Sequence, residues 1–128
     1  MLKDPLIVFV CEHGAAKSIL AATYFNKLAS ARNLNLRAIA RGTNPDLELS
    51  PKTMEGLHQD GLTPVESTPR KLTLADIESA EQIIVFCELP EEYRNKAIFE
   101  NWHDIPPVSE NYEKARDMII AKLKAMMK

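Results

Sequence analysis

The most constraining feature of the sequence is its beginning, where a short apolar run stops abruptly at a cysteine. The run from Leu6 to Val10 is rich in β-branched residues, which is typical of a strand buried on both faces of a parallel sheet. The segment Cys11–Ser18 follows with one glycine and two alanines, and apolar residues then recur at helical spacing to about Arg32. This opening predicts a strand, a tight loop and a helix.

The rest of the chain repeats this alternation of strands and helices. Further strands are predicted at 34–41, 83–86 and 97–99, and helices at 51–61, from Thr73, and at 110–127. Ser50-Pro51 and Thr73 are typical helix starts, because a hydroxyl caps the first turn and proline suits the first helical position. The alternation implies an α/β fold, a three-layer sandwich with helices on both faces of a parallel sheet.

Length and charge limit the classes of protein to which the chain can belong. Its 128 residues suit a single domain over 1–128, and 16 basic against 18 acidic residues give no electrostatic basis for binding nucleic acid. No apolar run approaches the roughly 18 residues of a membrane span, and the segment Met1–Pro5 is not a signal peptide. Two cysteines are too few for a disulfide framework. We therefore expect a cytoplasmic protein without membrane partners, metal or cofactor.

The segment Cys11–Ser18 lies where α/β sheets usually bind anions, in the first turn from strand to helix. Gly14 and the two alanines let backbone N–H groups point inward as a nest, with the helix N-terminus behind them. A thiol at the base of that nest faces the amide dipoles and Lys17, and both favour its negatively charged form. A thiolate beside a bound tetrahedral oxyanion is a nucleophile aimed at phosphorus or arsenic. The alternative is that Cys11 only packs at the end of a strand.

Other residues in and near this loop are candidates for contact with a substrate. We expect Glu12 to face solvent, because it would repel an anion, and His13 to contact the substrate or tune the cysteine. Arg41 ends the second predicted strand at the same edge of the sheet, where its guanidinium either reaches the oxyanion or lies at the surface. The predicted substrate-binding residues are Glu12, His13, Gly14, Ala15, Ala16, Ser18 and Arg41.

The pattern Val8-Phe9-Val10-Cys11, then five residues, then Lys17-Ser18 resembles the phosphate loop of the low-molecular-weight protein tyrosine phosphatase superfamily. That superfamily includes the thioredoxin-coupled arsenate reductases. Arg41-Gly42-Thr43, Pro69–Ala80 and Trp102–Tyr112 resemble further segments of the superfamily, so the resemblance covers essentially the whole chain. It implies a four-stranded sheet in the order 2-1-3-4 and a nucleophilic Cys11.

The sequence departs from that superfamily at three positions. The loop ends in Lys17 instead of arginine, whose planar guanidinium binds an oxyanion through two hydrogen bonds. Gly14 stands where asparagine is usual, and Pro106 aligns with the general acid of an expected Asp-Pro pair. Asp104 is the predicted acid if the loop is shifted, and His103 is the other candidate.

The second cysteine ends the predicted strand 83–86. In the resembled arsenate reductases the first resolving cysteine lies at the end of this strand, and a further one lies where this chain has Arg94. Cys87 is therefore either a redox partner of Cys11 or a thiol that packs at the end of the strand.

Several functions follow from these residues. A phosphatase would attack phosphotyrosine-like phosphate monoesters with Cys11, stabilise the oxyanion with Lys17 and the loop amides, and protonate the leaving group with Asp104. An arsenate reductase would join Cys11 and Cys87 in a disulfide that glutathione, glutaredoxin or thioredoxin reduces. Lys17 and Pro106 favour a third possibility, an oxyanion- or phosphoprotein-binding domain without catalysis. A cysteine-phosphorylated phosphocarrier has a similar start but a shorter chain. We place phosphatase chemistry first.

Overall fold

The computed structural model describes residues 5–96 and 98–127, and its elements follow the predicted order. The strands in these residues are β1 (Leu6–Cys11), β2 (Arg37–Gly42), β3 (Ala80–Val85) and β4 (Phe99–Asn101). The helices are α1 (Lys17–Ala31), α2 (Pro51–Gln59), α3 (Leu74–Ser79), α4 (Glu91–Arg94) and α5 (Tyr112–Met126). Among the described residues, no helix is both long and apolar enough to cross a membrane.

The strands form one parallel sheet in the order β2-β1-β3-β4. The central strand β1 pairs with β2 from Leu6 opposite Arg37 to Cys11 opposite Gly42. The predicted α/β fold and strand order are therefore confirmed. Because parallel strands end at the same edge of a sheet, the loops after β1, β2 and β3 meet there.

The boundaries of some elements differ from the prediction. Strand β2 begins at Arg37 and not at Leu34, because the chain first leaves α1 through Asn33 in the left-handed region (φ 56°), where the Leu34 amide donates to the Ala29 carbonyl. Strand β3 begins three residues early, since its polar start still pairs with β1. Ala97, the first residue of the predicted fourth strand, lies outside the described residues.

Alternation along β1 divides the core into two parts. Ile7, Phe9 and Cys11 face one side of the sheet, where they pack with residues of α1, α2 and α5. Leu6, Val8 and Val10 face the other side, where they pack with residues of α3 and α4. The cysteine thus belongs to the side that carries the longer helices.

A single carboxylate joins the three helices on that side. Asp60, the C-cap of α2, accepts hydrogen bonds from the hydroxyls of Tyr24 in α1 (2.5 Å) and Tyr112 in α5 (2.8 Å), and from Arg116 Nη1 (3.1 Å). Burial raises the pKa of Asp60, but the two tyrosines and the Arg116 charge outweigh it and lower the pKa overall. Burial and the bond to Asp60 raise the pKa of Tyr24 to about 12. This network fixes α2 against α1 and α5.

Replacing Asp60 by asparagine should lower the free energy of unfolding at neutral pH by about 1–3 kcal/mol, because the charged acceptor is lost. Since the pKa of Asp60 is lower in the folded than in the unfolded protein, the wild-type advantage is complete above the ordinary carboxyl pKa of about 3.9 and fades as the pH falls through the folded value. Urea unfolding at several pH values measures it. Glu55→Gln, on the exposed face of α2, is the control. A difference that persists unchanged into strong acid would contradict the prediction.

Candidate active site

A cavity of about 410 Å³ lies at the carboxyl edge of the sheet, where open α/β sheets bind ligands. It is enclosed by the loops after β1, β2 and β3 and by the segment that leads to α5. Its lining residues are Cys11, Glu12, His13, Ala15, Ala16, Lys17, Asp46, Ser50, Phe86, Cys87, Pro107, Val108 and Ser109. Within 5–96 and 98–127, no group of three or more side chains suitable for holding a metal ion is found.

Hydrogen bonds join the loop between β1 and α1 to the segment that follows β2. The carbonyls of Cys11, Glu12, His13 and Ala15 accept hydrogen bonds of 2.7 to 3.1 Å from the amides of Thr43, Asn44, Asp46 and Ser50, respectively. The amides from 13 to 16 donate no hydrogen bond to any described residue. Because backbone donors are seldom left without an acceptor, this loop is suited to receive an anion.

Two glycines bring these loops into direct backbone contact. Gly14 has a φ of 61°, in the left-handed region that favours glycine. A Cβ atom on Gly14 would lie 2.9 Å from the Gly42 nitrogen, and one on Gly42 would lie 2.6 Å from the Gly14 nitrogen. Neither position has room for a side chain. The backbone of the second loop thus supports the first loop at Gly14, the position where the resembled superfamily usually has asparagine.

The Cys11 thiol lies at the base of the loop, beside the start of α1. Cys11 Sγ is 3.0 Å from the Oγ of Ser18, whose side chain is fully buried. Helix α1 begins at Lys17 without a side-chain cap and without an acidic residue in its first turn. Its first amides therefore keep their partial positive charge for a ligand. A thiol, a buried hydroxyl and an uncapped helix end together suit attack on a tetrahedral anion.

Cys87 lines the same cavity, because β3 lies next to β1 and the chain leaves both strands at this edge. Both cysteines are free. Burial, and to a smaller extent the charges of Cys11 and Glu12, raise the pKa of Cys87 to about 11, although Thr43 and the charge of Lys17 act in the opposite direction. The structure thus brings the two thiols to one cavity, and holds that of Cys87 in the protonated form near neutral pH.

Arg41 does not line the cavity, and its contact with a substrate stays a prediction. It is the register partner of Val10 and lies on the face of the sheet opposite to Cys11. Its Nε atom is 3.0 Å from Asp76 Oδ2, and its Nη1 atom is 3.1 Å from Glu66 Oε2. The guanidinium is therefore used in two structural ion pairs.

Asp104 also lies outside the cavity, and its role as the general acid stays a prediction. Its carboxylate is 3.2 Å from Lys122 Nζ of α5. The physical reason is that Trp102 continues the sheet, because its amide donates to the Val85 carbonyl and its side chain is buried. The chain reaches the cavity only at Pro107.

Some of the remaining predicted residues line the cavity, and others lie behind its wall. Glu12, His13, Lys17 and the two alanines line it, whereas Gly14 and Ser18 do not and lie behind it as supporting residues. The side chain of Glu12 is exposed, as expected, but it also contacts His13. Asp46 lines the cavity as well, but it was not among the residues predicted from the sequence. The feature that could have indicated it is its position in the loop after β2, the strand next to β1.

The chain matches the family described as Low molecular weight phosphotyrosine protein phosphatase over residues 6–117. The protein belongs to this family. The resemblance inferred from the loop is therefore confirmed. A search of curated proteins gives no match.

Solved structures of phosphatases and arsenate reductases share the fold of this family member. YfkJ from Bacillus subtilis superposes with a TM-score of 0.84 at 17% identity, covering 98% of this chain and 94% of the other. The low molecular weight protein tyrosine phosphatase from T. tengcongensis superposes with a TM-score of 0.77 at 18% identity, covering 96% of this chain and 97% of the other. The arsenate reductase from Archaeoglobus fulgidus DSM 4304 superposes with a TM-score of 0.74 at 22% identity, covering 94% of this chain and 97% of the other. At these identities the likeness shows the fold alone.

Replacing Gly42 by alanine should weaken phosphate binding at the cavity by tenfold or more, about 1.4 kcal/mol, because the added Cβ atom would push the two loops apart. The measurement is the phosphate concentration that protects Cys11 from iodoacetamide, with the alkylated residue identified by mass spectrometry.

The control for that variant is Gly61→Ala. Gly61 has a φ of 77°, but a Cβ atom on it would meet no other atom within 4 Å, so the change adds backbone strain without displacing a neighbour. It should lower thermal stability and leave phosphate protection unchanged. Equal protection in wild type and the Gly42 variant would show that the contact between the loops does not shape the anion site.

Proposed function

We propose that this family member hydrolyses phosphotyrosine-like phosphate monoesters, with Cys11 as the nucleophile. The observation that carries the proposal is the position of Cys11 Sγ, in a cavity beside an uncapped helix N-terminus and 3.0 Å from a buried hydroxyl. Membership of the phosphatase family supports the same reaction. The partner is then a phosphate ester of a small molecule or of a phosphoprotein.

In the first step the Cys11 thiolate attacks phosphorus. An S–P bond forms as the ester P–O bond breaks, and the leaving oxygen takes a proton. Lys17 and the amides of the loop stabilise the equatorial oxygens, and the Ser18 hydroxyl donates to the sulfur. Since the ammonium of Lys17 is a point charge, the amides carry more of the hydrogen bonding than they would beside an arginine.

In the second step water attacks the phosphorus of the intermediate. The S–P bond breaks, inorganic phosphate leaves, and the Cys11 thiolate is restored. The net reaction consumes one water molecule and releases an alcohol or phenol. Phe86, Pro107 and Val108 add apolar surface to the cavity, which suits an aromatic leaving group.

Arsenate reduction is the second candidate, because Cys87 lines the cavity that holds Cys11. Cys11 would replace one arsenate oxygen, and attack by Cys87 on the Cys11 sulfur would form a disulfide as two electrons reduce arsenic and arsenite leaves. Glutathione, glutaredoxin or thioredoxin would restore the thiols. Since the pKa of Cys87 is raised to about 11, its thiolate is disfavoured near neutral pH, and we place this function second.

The test compares hydrolysis of an aryl phosphate with thiol-dependent release of arsenite from arsenate, under the same conditions. We expect hydrolysis that Cys11→Ser reduces by on the order of 10³-fold or more, because the attacking atom is removed. Cys87→Ser is the matched control and should change hydrolysis by less than about threefold, since that thiol takes no part in either step.

Other outcomes would select the other functions. Arsenite release that both cysteine variants abolish, with no hydrolysis of the aryl phosphate, would establish the reductase in place of the phosphatase. Protection of Cys11 by phosphate with neither activity would indicate an oxyanion-binding domain without catalysis. Hydrolysis that survives in Cys11→Ser would overturn the assigned nucleophile.

A further inference from the structure

The proposed hydrolysis needs a proton donor at the cavity, and the expected aspartate does not line it. Asp104 is paired with Lys122 away from the cavity, and Cys87, with its pKa of about 11, holds its proton tightly. The cavity also contains His13, an imidazole two residues after the nucleophile. Imidazole is the side chain whose ordinary titration range best suits proton transfer near neutral pH.

His13 is held by Asp46 at two points. The Asp46 amide donates to the His13 carbonyl at 3.0 Å, and Asp46 Oδ1 lies 3.1 Å from His13 Nδ1. A carboxylate at Nδ1 sets the ring orientation and leaves Nε2 as the nitrogen that exchanges a proton. That nitrogen is 3.4 Å from Glu12 Oε2. The Glu12 side chain is more than half exposed, so it can turn to solvent when a substrate enters.

We infer that His13 is the general acid of this site and that Asp46 is its positioning residue; this inference rests on the proposed phosphatase function. As the P–O bond breaks, Nε2 gives its proton to the leaving oxygen. When water then attacks the Cys11-bound phosphoryl group, Nε2 takes a proton from that water, and the imidazole returns to its starting state. The other titratable groups that line the cavity are Glu12, Lys17, Cys11 and Cys87.

A general acid matters most when the leaving group is poor. Proton donation typically contributes 10²–10⁴-fold to the rate, and a leaving group that is stable as an anion needs little of it. Loss of the acid should therefore change the ratio of rates between poor and good leaving groups. A structural defect in the loop would instead slow both substrates equally.

The experiment compares phenyl phosphate, a poor leaving group, with p-nitrophenyl phosphate, a good one, in wild type, His13→Gln, Asp46→Asn and Asp104→Asn. His13→Gln should slow phenyl phosphate by about 10²-fold or more and p-nitrophenyl phosphate by less than about tenfold. It should also remove the alkaline limb of the pH profile of kcat. Asp46→Asn should change the same ratio by a smaller factor and shift that limb.

Asp104→Asn is the matched control, because Asp104 lies outside the cavity, and it should leave both rates unchanged. Equal slowing of both substrates by His13→Gln, or an unchanged pH profile, would overturn the role of His13. A selective loss in Asp104→Asn would assign the role to that residue instead. Wild-type protein that hydrolyses neither substrate would overturn the proposed phosphatase function, and this inference with it.

Discussion

The site depends on the backbone contact between the loops that follow β1 and β2. The backbones of Gly14 and Gly42 are in contact, and neither position has room for a side chain. Four carbonyls of the first loop accept hydrogen bonds from amides of the second loop. The amides of residues 13 to 16 donate to no described residue, so they remain available to an anion. The register of the sheet makes this contact possible, since it sets Cys11 directly opposite Gly42.

The elements that flank the two loops hold them in place. The buried strand β1 carries the first loop, and α2 follows the second loop with its cap at Ser50. Asp60 then fixes the far end of α2 to α1 and α5. Because the ammonium of Lys17 is a point charge, the proposed function leaves more of the oxyanion's hydrogen bonding to the loop amides than an arginine would, and so depends on the fixed geometry of the two loops.

Most of the fold and the centre of the site could be predicted from the sequence, because both follow from local patterns. The apolar runs before Cys11 and Cys87 predict adjacent buried strands, and the small residues after Cys11 predict the loop. The role of Arg41 could not be read from its position at a strand end, because the face on which it lies depends on register. The place of Asp104 could not be predicted either, because the path of its loop is set by the long-range burial of Trp102. Asp46 contacts His13 between two loops that are brought together by the sheet order, so the sequence did not point to it.

The most direct test of the account is to trap the covalent intermediate. Wild-type protein is mixed with a radiolabelled aryl phosphate and quenched within the first turnover, and the labelled peptide is identified by mass spectrometry. The account predicts a phosphoryl group on Cys11 that appears with the first burst of phenol, is absent in Cys11→Ser and is unchanged in Cys87→Ser. A burst of phenol without label on Cys11, or a label on another residue, would contradict it.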